Sequence, residues 1–323
     1  MLINLILLAV GLAALMAGGE WLVKGSVGLA ERLGVHPVLV GLTVVAFGTS
    51  TPELVVNVSA ALRGSSGIGF GNVVGSNIAN IGLLLGLTAI IAPLSIHRVL
   101  VIREIPMMIL AALAALVLGG GGFLGEGQAG YSRGDGIILL FFFGVFLHYT
   151  VAEALRATAE EEGAEVPGAK QPLGTGKITL FILGGLATLV LGGELTVRGA
   201  TEIARALGIA ETVIALTIVA VGTSLPELST TLSAARSGQG DIAIGNIVGS
   251  NIFNLLFVWG ISVSIVPAAV PMGGMKDLLV MTGISFVLLP MAFSQHRISR
   301  IEGGIILAIY VGYIGSLVLG ALS

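Results

Sequence analysis

Gly41-Leu42-Thr43-Val44-Val45-Ala46-Phe47-Gly48-Thr49-Ser50-Thr51-Pro52-Glu53-Leu54 returns later in the chain as Ala215-Leu216-Thr217-Ile218-Val219-Ala220-Val221-Gly222-Thr223-Ser224-Leu225-Pro226-Glu227-Leu228. A second stretch, Gly71-Asn72-Val73-Val74-Gly75-Ser76-Asn77-Ile78-Ala79-Asn80, returns as Gly245-Asn246-Ile247-Val248-Gly249-Ser250-Asn251-Ile252-Phe253-Asn254. Gly48 and Gly222, like Gly71 and Gly245, stand 174 positions apart, and Gly18-Gly19-Glu20 holds that offset to Gly192-Gly193-Glu194. A single offset kept through three segments is the mark of a duplicated chain, and it sets the frame for everything else.

The duplicated segments lie in a strongly apolar chain. Of 323 residues, 55% are hydrophobic and 10% charged, with a mean hydropathy of +1.04; an ordinary soluble domain carries about 25% charge. This excludes a soluble enzyme. Apolar runs of about 20 residues, each long enough to cross ~30 Å of hydrocarbon, fall near 2–24, 38–62, 69–93, 100–119, 135–156, 177–200, 212–236, 242–266, 277–294 and 301–321. The net charge of −3 and the absence of a basic run give no footing for nucleic acid. No cysteine is present for disulfide, thiolate-metal or redox chemistry, and no His-Glu-x-x-His motif supports a zinc protease. Met1 to Ala17 contains neither Lys nor Arg, so it reads as a retained first helix rather than a signal peptide. His36, His97 and His296 read as loop residues and His148 as interfacial.

Five spans per half is an odd number, so the second copy enters the membrane inverted relative to the first. The basic residues agree. Lys24, Arg32, Arg98, Arg103, Arg156, Lys170, Lys177, Arg236, Arg297 and Arg300 fall on one side, against Arg63, Arg133, Arg198, Arg205 and Lys276 on the other. The richer side is cytoplasmic by the positive-inside rule. The expected fold is therefore an all-α polytopic membrane protein, with ten transmembrane helices in two inverted five-helix repeats. The first repeat spans 1–156, a cytoplasmic linker 157–176 and the second repeat 177–323. Both termini are expected outside a multi-pass plasma membrane protein.

The motifs carry unusual chemistry for such a setting. Glu53 and Glu227 stand about halfway along apolar spans, where a carboxylate costs about 2.5–3.5 kcal/mol on insertion scales. No basic residue nearby in sequence lies at membrane depth to pair with them, so bound cations or protons are expected to supply the positive charge. Thr49 and Ser50 precede Glu53 by four and three residues, putting their hydroxyls on the carboxylate's helix face; Thr223, Ser224 and Glu227 repeat the pattern. Pro52 and Pro226 should break their helices near Gly48 and Gly222, freeing carbonyls. Asn72, Ser76 and Asn80, and their copies Asn246, Ser250 and Asn254, form a polar stripe at a four-residue stride. Glycines in that stripe permit close helix approach, which accounts for part of the total of 49. Hard oxygen donors with two carboxylates suit Ca²⁺, which takes 6–8 oxygens, and two Na⁺ would neutralise the same pair. Glu20 and Glu194 read as residues near span ends, snorkelling to the interface.

The paired Gly-Thr-Ser-x-Pro-Glu and Gly-Asn-x-x-Gly-Ser-Asn-x-x-Asn segments resemble the alpha repeats of the sodium/calcium exchanger family, within the cation/calcium antiporter superfamily. The resemblance covers both repeats. It implies a transporter, with no cofactor and no catalytic residues, that moves Ca²⁺ and Na⁺ between membrane faces by alternating access. Its second, third, seventh and eighth helices would hold the ions while the first and sixth slide across them. Carried over by position, the ion-coordinating side chains fall on Thr49, Ser50, Glu53, Ser76, Asn80, Thr223, Ser224, Glu227, Ser250 and Asn254, with backbone carbonyls of Ala46 and Ala220. Asn at both 80 and 254, where some members have Asp, counts against potassium co-transport. Gly75-Ser76 and Gly249-Ser250, where proton/calcium exchangers usually carry an acid, favour sodium over H⁺. A proton/cation antiporter and a cation channel are the alternative readings. The partners implied are inorganic cations and the lipid bilayer, with no nucleic acid and no protein partner.

Overall fold

The computed structural model describes residues 2–121, 129–161, 173–208, 220–295 and 297–322. His296, most of the 157–176 linker and residues 212–219 of the seventh span lie outside the described residues. The helices in chain order are α1 (Leu2–Leu33), α2 (Pro37–Thr49), α3 (Thr51–Leu62), α4 (Ser66–Ile91), α5 (Leu100–Gly119), α6 (Arg133–Glu161), α7 (Thr175–Ala206), α8 (Ala220–Gly222), α9 (Leu225–Arg236), α10 (Gly240–Ile265), α11 (Gly274–Gln295) and α12 (Arg300–Leu322). Eight of these are long and apolar enough to cross a membrane, and α2 with α3 makes one further span bent by 45°. The remaining span is the seventh, of which α8 and α9 are the described part. The chain is an all-α polytopic membrane protein.

Packing shows how the two copies are related. A Cβ added to Gly11 would stand 2.9 Å from the Gly192 carbonyl, one on Gly18 2.9 Å from that of Gly185, and one on Gly199 2.8 Å from that of Asn4. Rising numbers on α1 thus meet falling numbers on α7, so the two copies of the first helix run antiparallel. The exchange is reciprocal: Gly185 and Gly192 are the copies of Gly11 and Gly18. This is what a twofold axis in the membrane plane produces when it inverts one repeat onto the other.

The far ends of the repeats obey the same operator. Two short ladders cross between halves. The first pairs β1 (Leu94–Ser95) with β4 (Arg297–Ile298), and the second pairs β2 (Gly130–Tyr131) with β3 (Ala268–Ala269), both antiparallel. Likewise α4 meets α12 at Gly86 and Gly303, while α10 meets α6 at Gly260 and Gly136. The last helix of each repeat therefore leans on the third helix of the other. α10 is the innermost element, with 94% of its most apolar stretch buried, against 17% for the peripheral α12.

Two expectations from sequence need correction. Helices α1 and α7 each run 32 residues and extend past the expected ends at 24 and 200. Glu20 and Glu194 therefore stand near the middle of their helices. The break in the second span falls at Ser50, whose φ of −85° and ψ of 6° leave the helix, two residues beyond Gly48. The copy breaks at Thr223–Ser224. In both, proline occupies the second position of the following helix, where its missing N–H costs least.

Close approach makes the α1–α7 seam sensitive to volume. A Cβ at Gly185 would lie 2.7 Å from the Leu22 backbone nitrogen, whereas at Gly184 the nearest atom is Trp21 at 3.8 Å. Gly185→Ala is expected to cost about 1–3 kcal/mol of overpacking and Gly184→Ala to be nearly neutral. Thermal unfolding of the two variants in detergent checks this, and equal melting temperatures would contradict the seam.

Candidate functional site

The broken spans and the polar stripes meet at the centre of the bundle. Glu53 opens α3 and Glu227 opens α9, each in the first turn after its break. Both are buried, with relative exposures of 0% and 1%, and they lie within Coulomb range of each other. An acid in a first turn lies at the positive end of its own helix.

The hydroxyls and amides cross between halves. Ser50 Oγ donates to Glu227 Oε1 at 3.2 Å. Thr49 Oγ1 lies 3.1 Å from Asn246 Oδ1, and its copy Thr223 Oγ1 lies 3.3 Å from Asn72 Oδ1. Asn246 also donates to the Glu227 carbonyl at 3.4 Å and to Thr231 Oγ1 at 3.0 Å. Asn80 Nδ2 donates to Asn251 Oδ1 at 3.2 Å, leaving Asn80 Oδ1 without a partner. Asn80 opens one π-helical segment, Asn80–Leu85, and Asn254 sits inside its counterpart Phe253–Val258. Such single-turn widenings are common where helices carry function. The Ala46 carbonyl accepts the Ser50 N–H at 3.0 Å and lies 3.4 Å from Thr49 Oγ1; Ala220 begins the described part of its span.

Unsatisfied atoms concentrate here. Among the described residues, 17 buried side-chain nitrogen and oxygen atoms lack a hydrogen-bond partner, and nine belong to Glu53, Ser76, Asn80, Ser224, Glu227, Ser250 and Asn254. Each such atom costs about 1–3 kcal/mol unless something binds it. The donor set is hard oxygen with two carboxylates, and no group of three or more His, Cys, Asp or Glu able to hold a metal occurs among the described residues. Such a set of oxygens, two charged and the rest neutral, is chemically suited to a hard cation.

A further buried acid, absent from the sequence expectations, provides the contrast. Glu104 in α5 has 0% exposure, yet Arg103 Nε donates to it at 3.0 Å and Tyr149 Oη at 2.9 Å. Arg103 also reaches Glu153 at 3.1 Å and lies over the Tyr149 ring. Its sequence signal was the adjacent Arg103-Glu104 pair inside a span. Three more buried polar residues, Asn57, Thr230 and Thr231, follow the motif glutamates by three or four positions; Asn57 Nδ2 holds the Glu53 carbonyl at 2.8 Å. His36 and His97 are loop residues as expected, each capping the following turn through Nδ1 at 3.3 Å, with rings 4.1 Å apart. Burial and the neighbouring His97 hold His36 below the usual histidine range.

Two inverted repeats that fold around buried, uncompensated oxygens define a membrane transport protein. The family described as sodium/calcium exchanger protein matches residues 3–152 and 177–319, and the chain belongs to that family of antiporters. It is 33% identical to the sodium/calcium exchanger MaX1 of Methanosarcina acetivorans, over 97% of each chain. It is 36% identical to the inner membrane protein YrbG of Escherichia coli, over 89% of this chain and 88% of that one. Among solved structures, the sodium-calcium exchanger NCX_Mj superposes with a TM-score of 0.84 at 33% identity, over 98% of this chain and all of that one.

Proposed function

We propose that this chain exchanges Ca²⁺ for Na⁺ at one site between Glu53 and Glu227, exposing it to each membrane face in turn. One observation carries the reading: among the described residues these two buried carboxylates join no salt bridge, whereas buried Glu104 pairs with Arg103. A bound cation supplies the missing charge. One Ca²⁺ or two Na⁺ neutralise the same pair, so the ions compete for the same oxygens and occupancy by one expels the other. Thr49, Ser50, Thr223, Ser224, Ser76, Asn80, Ser250 and Asn254, with the carbonyls of Ala46 and Ala220, complete the oxygen set. Asn72 and Asn246 act one step back, holding the threonine hydroxyls. The pseudo-twofold supports alternation, because each approach to the site has a symmetry-related counterpart on the opposite face. Residues 1–156 and 177–323 form the two repeats, with the linker 157–176 in the cytoplasm and both termini outside the plasma membrane.

Radiolabelled calcium uptake into proteoliposomes, with sodium, proton and voltage gradients imposed one at a time, tests this. An outward sodium gradient is expected to drive accumulation and a pH gradient alone to leave uptake at background. Accumulation driven by pH with sodium absent would favour proton coupling instead.

A further inference from the structure

A cavity of about 270 Å³ opens beside the site, walled by Pro52 and Val56 of α3, Glu194 and Val197 of α7, and Thr223 and Pro226 at the seventh-span break. Among its described lining side chains, Glu194 and Thr223 are the polar ones. Thr223 is one of the hydroxyls assigned to the ions, so the cavity reaches the rim of the site. Glu194 is exposed, stands near the middle of a 32-residue helix and joins no salt bridge among the described residues. An ionised carboxylate at that depth is tolerated where it faces a water-filled space.

In the other half Glu20 is likewise exposed, but the way from it to the site is shut. The repeat offset takes Glu194 to Glu20, Gly193 to Gly19 and Thr223 to Thr49. A Cβ on Gly19 would lie 2.9 Å from the Ser229 carbonyl and from Ser233 Oγ of α9, and Ser229 Oγ donates to the Leu15 carbonyl at 2.5 Å. At Gly193 the nearest atom to such a Cβ is Pro226 at 3.9 Å. Thr49 is 1% exposed while Thr223 is only half-buried. Helix α1 is sealed onto its neighbour, and α7 leaves the symmetry-related gap open.

We infer that Glu194 is the cation-concentrating carboxylate of this open vestibule, drawing ions from bulk water toward Thr223 and the Glu53–Glu227 pair, and that Glu20 is its counterpart for the opposite face. A cleft with low-dielectric walls focuses the field of one charge along its length. What Glu194 attracts is any small cation; that the cargo is Ca²⁺ and Na⁺ rests on the exchange reading.

The chain has no cysteine, so Val56→Cys places a single thiol in the vestibule wall. Full-length protein in proteoliposomes is treated with a trimethylammonium and a sulfonate methanethiosulfonate, and the rates are normalised to those of a free thiol. With Glu194 present the cationic reagent reacts faster. The ratio is expected to fall roughly 10-fold, the low end of electrostatic focusing, in Glu194→Gln, to persist in Glu194→Asp and to be unmoved by Glu20→Gln. In flux, Glu194→Gln raises the calcium KM on the vestibule side, with kcat and the opposite-side KM retained. An unreactive thiol, a ratio indifferent to Glu194→Gln, or a lowered kcat at unchanged KM overturns the assignment. If the unsubstituted protein shows no sodium–calcium exchange while the ratio still falls in Glu194→Gln, the exchange reading fails and the vestibule role stands.

Discussion

Glu53→Gln and Glu227→Gln are each expected to lower sodium-dependent calcium uptake by about 100-fold or more. Removing one of two carboxylates that together neutralise a divalent ion leaves a net charge in a buried site, a loss of at least about 3 kcal/mol, and each 1.4 kcal/mol is about tenfold in affinity. The fold should survive. Gln is isosteric, and its amide oxygen keeps an acceptor where Ser50 donates to Glu227. In cation-free buffer each variant should melt no lower than the parent, because one of two neighbouring buried carboxyl groups, each costly to bury, is replaced by a neutral amide. Calcium should then fail to raise its melting temperature, whereas for the parent a ligand at ~100 times its Kd adds about 2.7 kcal/mol. Flux and thermal unfolding on the same preparations check both halves of the expectation. Full uptake by either variant would contradict the site.

Arg103→Met is expected to do the reverse, damaging the fold rather than the ion site. It strips buried Glu104 of its cationic partner and leaves only the Tyr149 hydroxyl. Breaking a buried pair from one side costs about 3–5 kcal/mol; the low end applies, since the Arg103 side chain is 31% exposed. Arg103→Met/Glu104→Gln should recover most of that loss, because the orphaned charge goes with its partner. The readout is the denaturation midpoint in detergent. If Arg103→Met melted like the parent, Glu104 would not be the structural acid that sets Glu53 and Glu227 apart.

The repeat, the membrane class and the two motif acids could be read from residues because each is a local or periodic property. Glu53 and Glu227 stand out by being charged inside apolar runs, and the 174-residue offset pairs them. Helix ends were less legible. Hydropathy measures the thickness of hydrocarbon, but a helix has no reason to stop at the interface, so α1 and α7 run on past Lys24 and Ala200 and carry Glu20 and Glu194 to mid-helix. Glu104 was missed because its partner is adjacent in sequence, and Arg103 reads as a loop charge until Tyr149 and Glu153 from α6 close around it. The crossing ladders at Leu94 and Gly130 are two residues long and depend on proximity between repeats, which no local pattern records.

Asymmetry lay beyond the sequence altogether. The two motifs are nearly identical, yet Ser50 donates to Glu227 while, among the described residues, Ser224 Oγ has no partner. The α1 side is closed and the α7 side open. A duplicated sequence defines a pair of symmetry-related arrangements with similar contacts, and which one is occupied is decided by small differences in packing.

Equilibrium binding of radiolabelled calcium to the purified protein, with sodium as competitor, tests most directly the claim that Glu53 and Glu227 share one exchangeable cation. The account predicts saturable calcium binding that sodium displaces, and none in Glu53→Gln/Glu227→Gln although that variant remains folded. Calcium bound by the double variant with the parent's affinity and sodium sensitivity would contradict it.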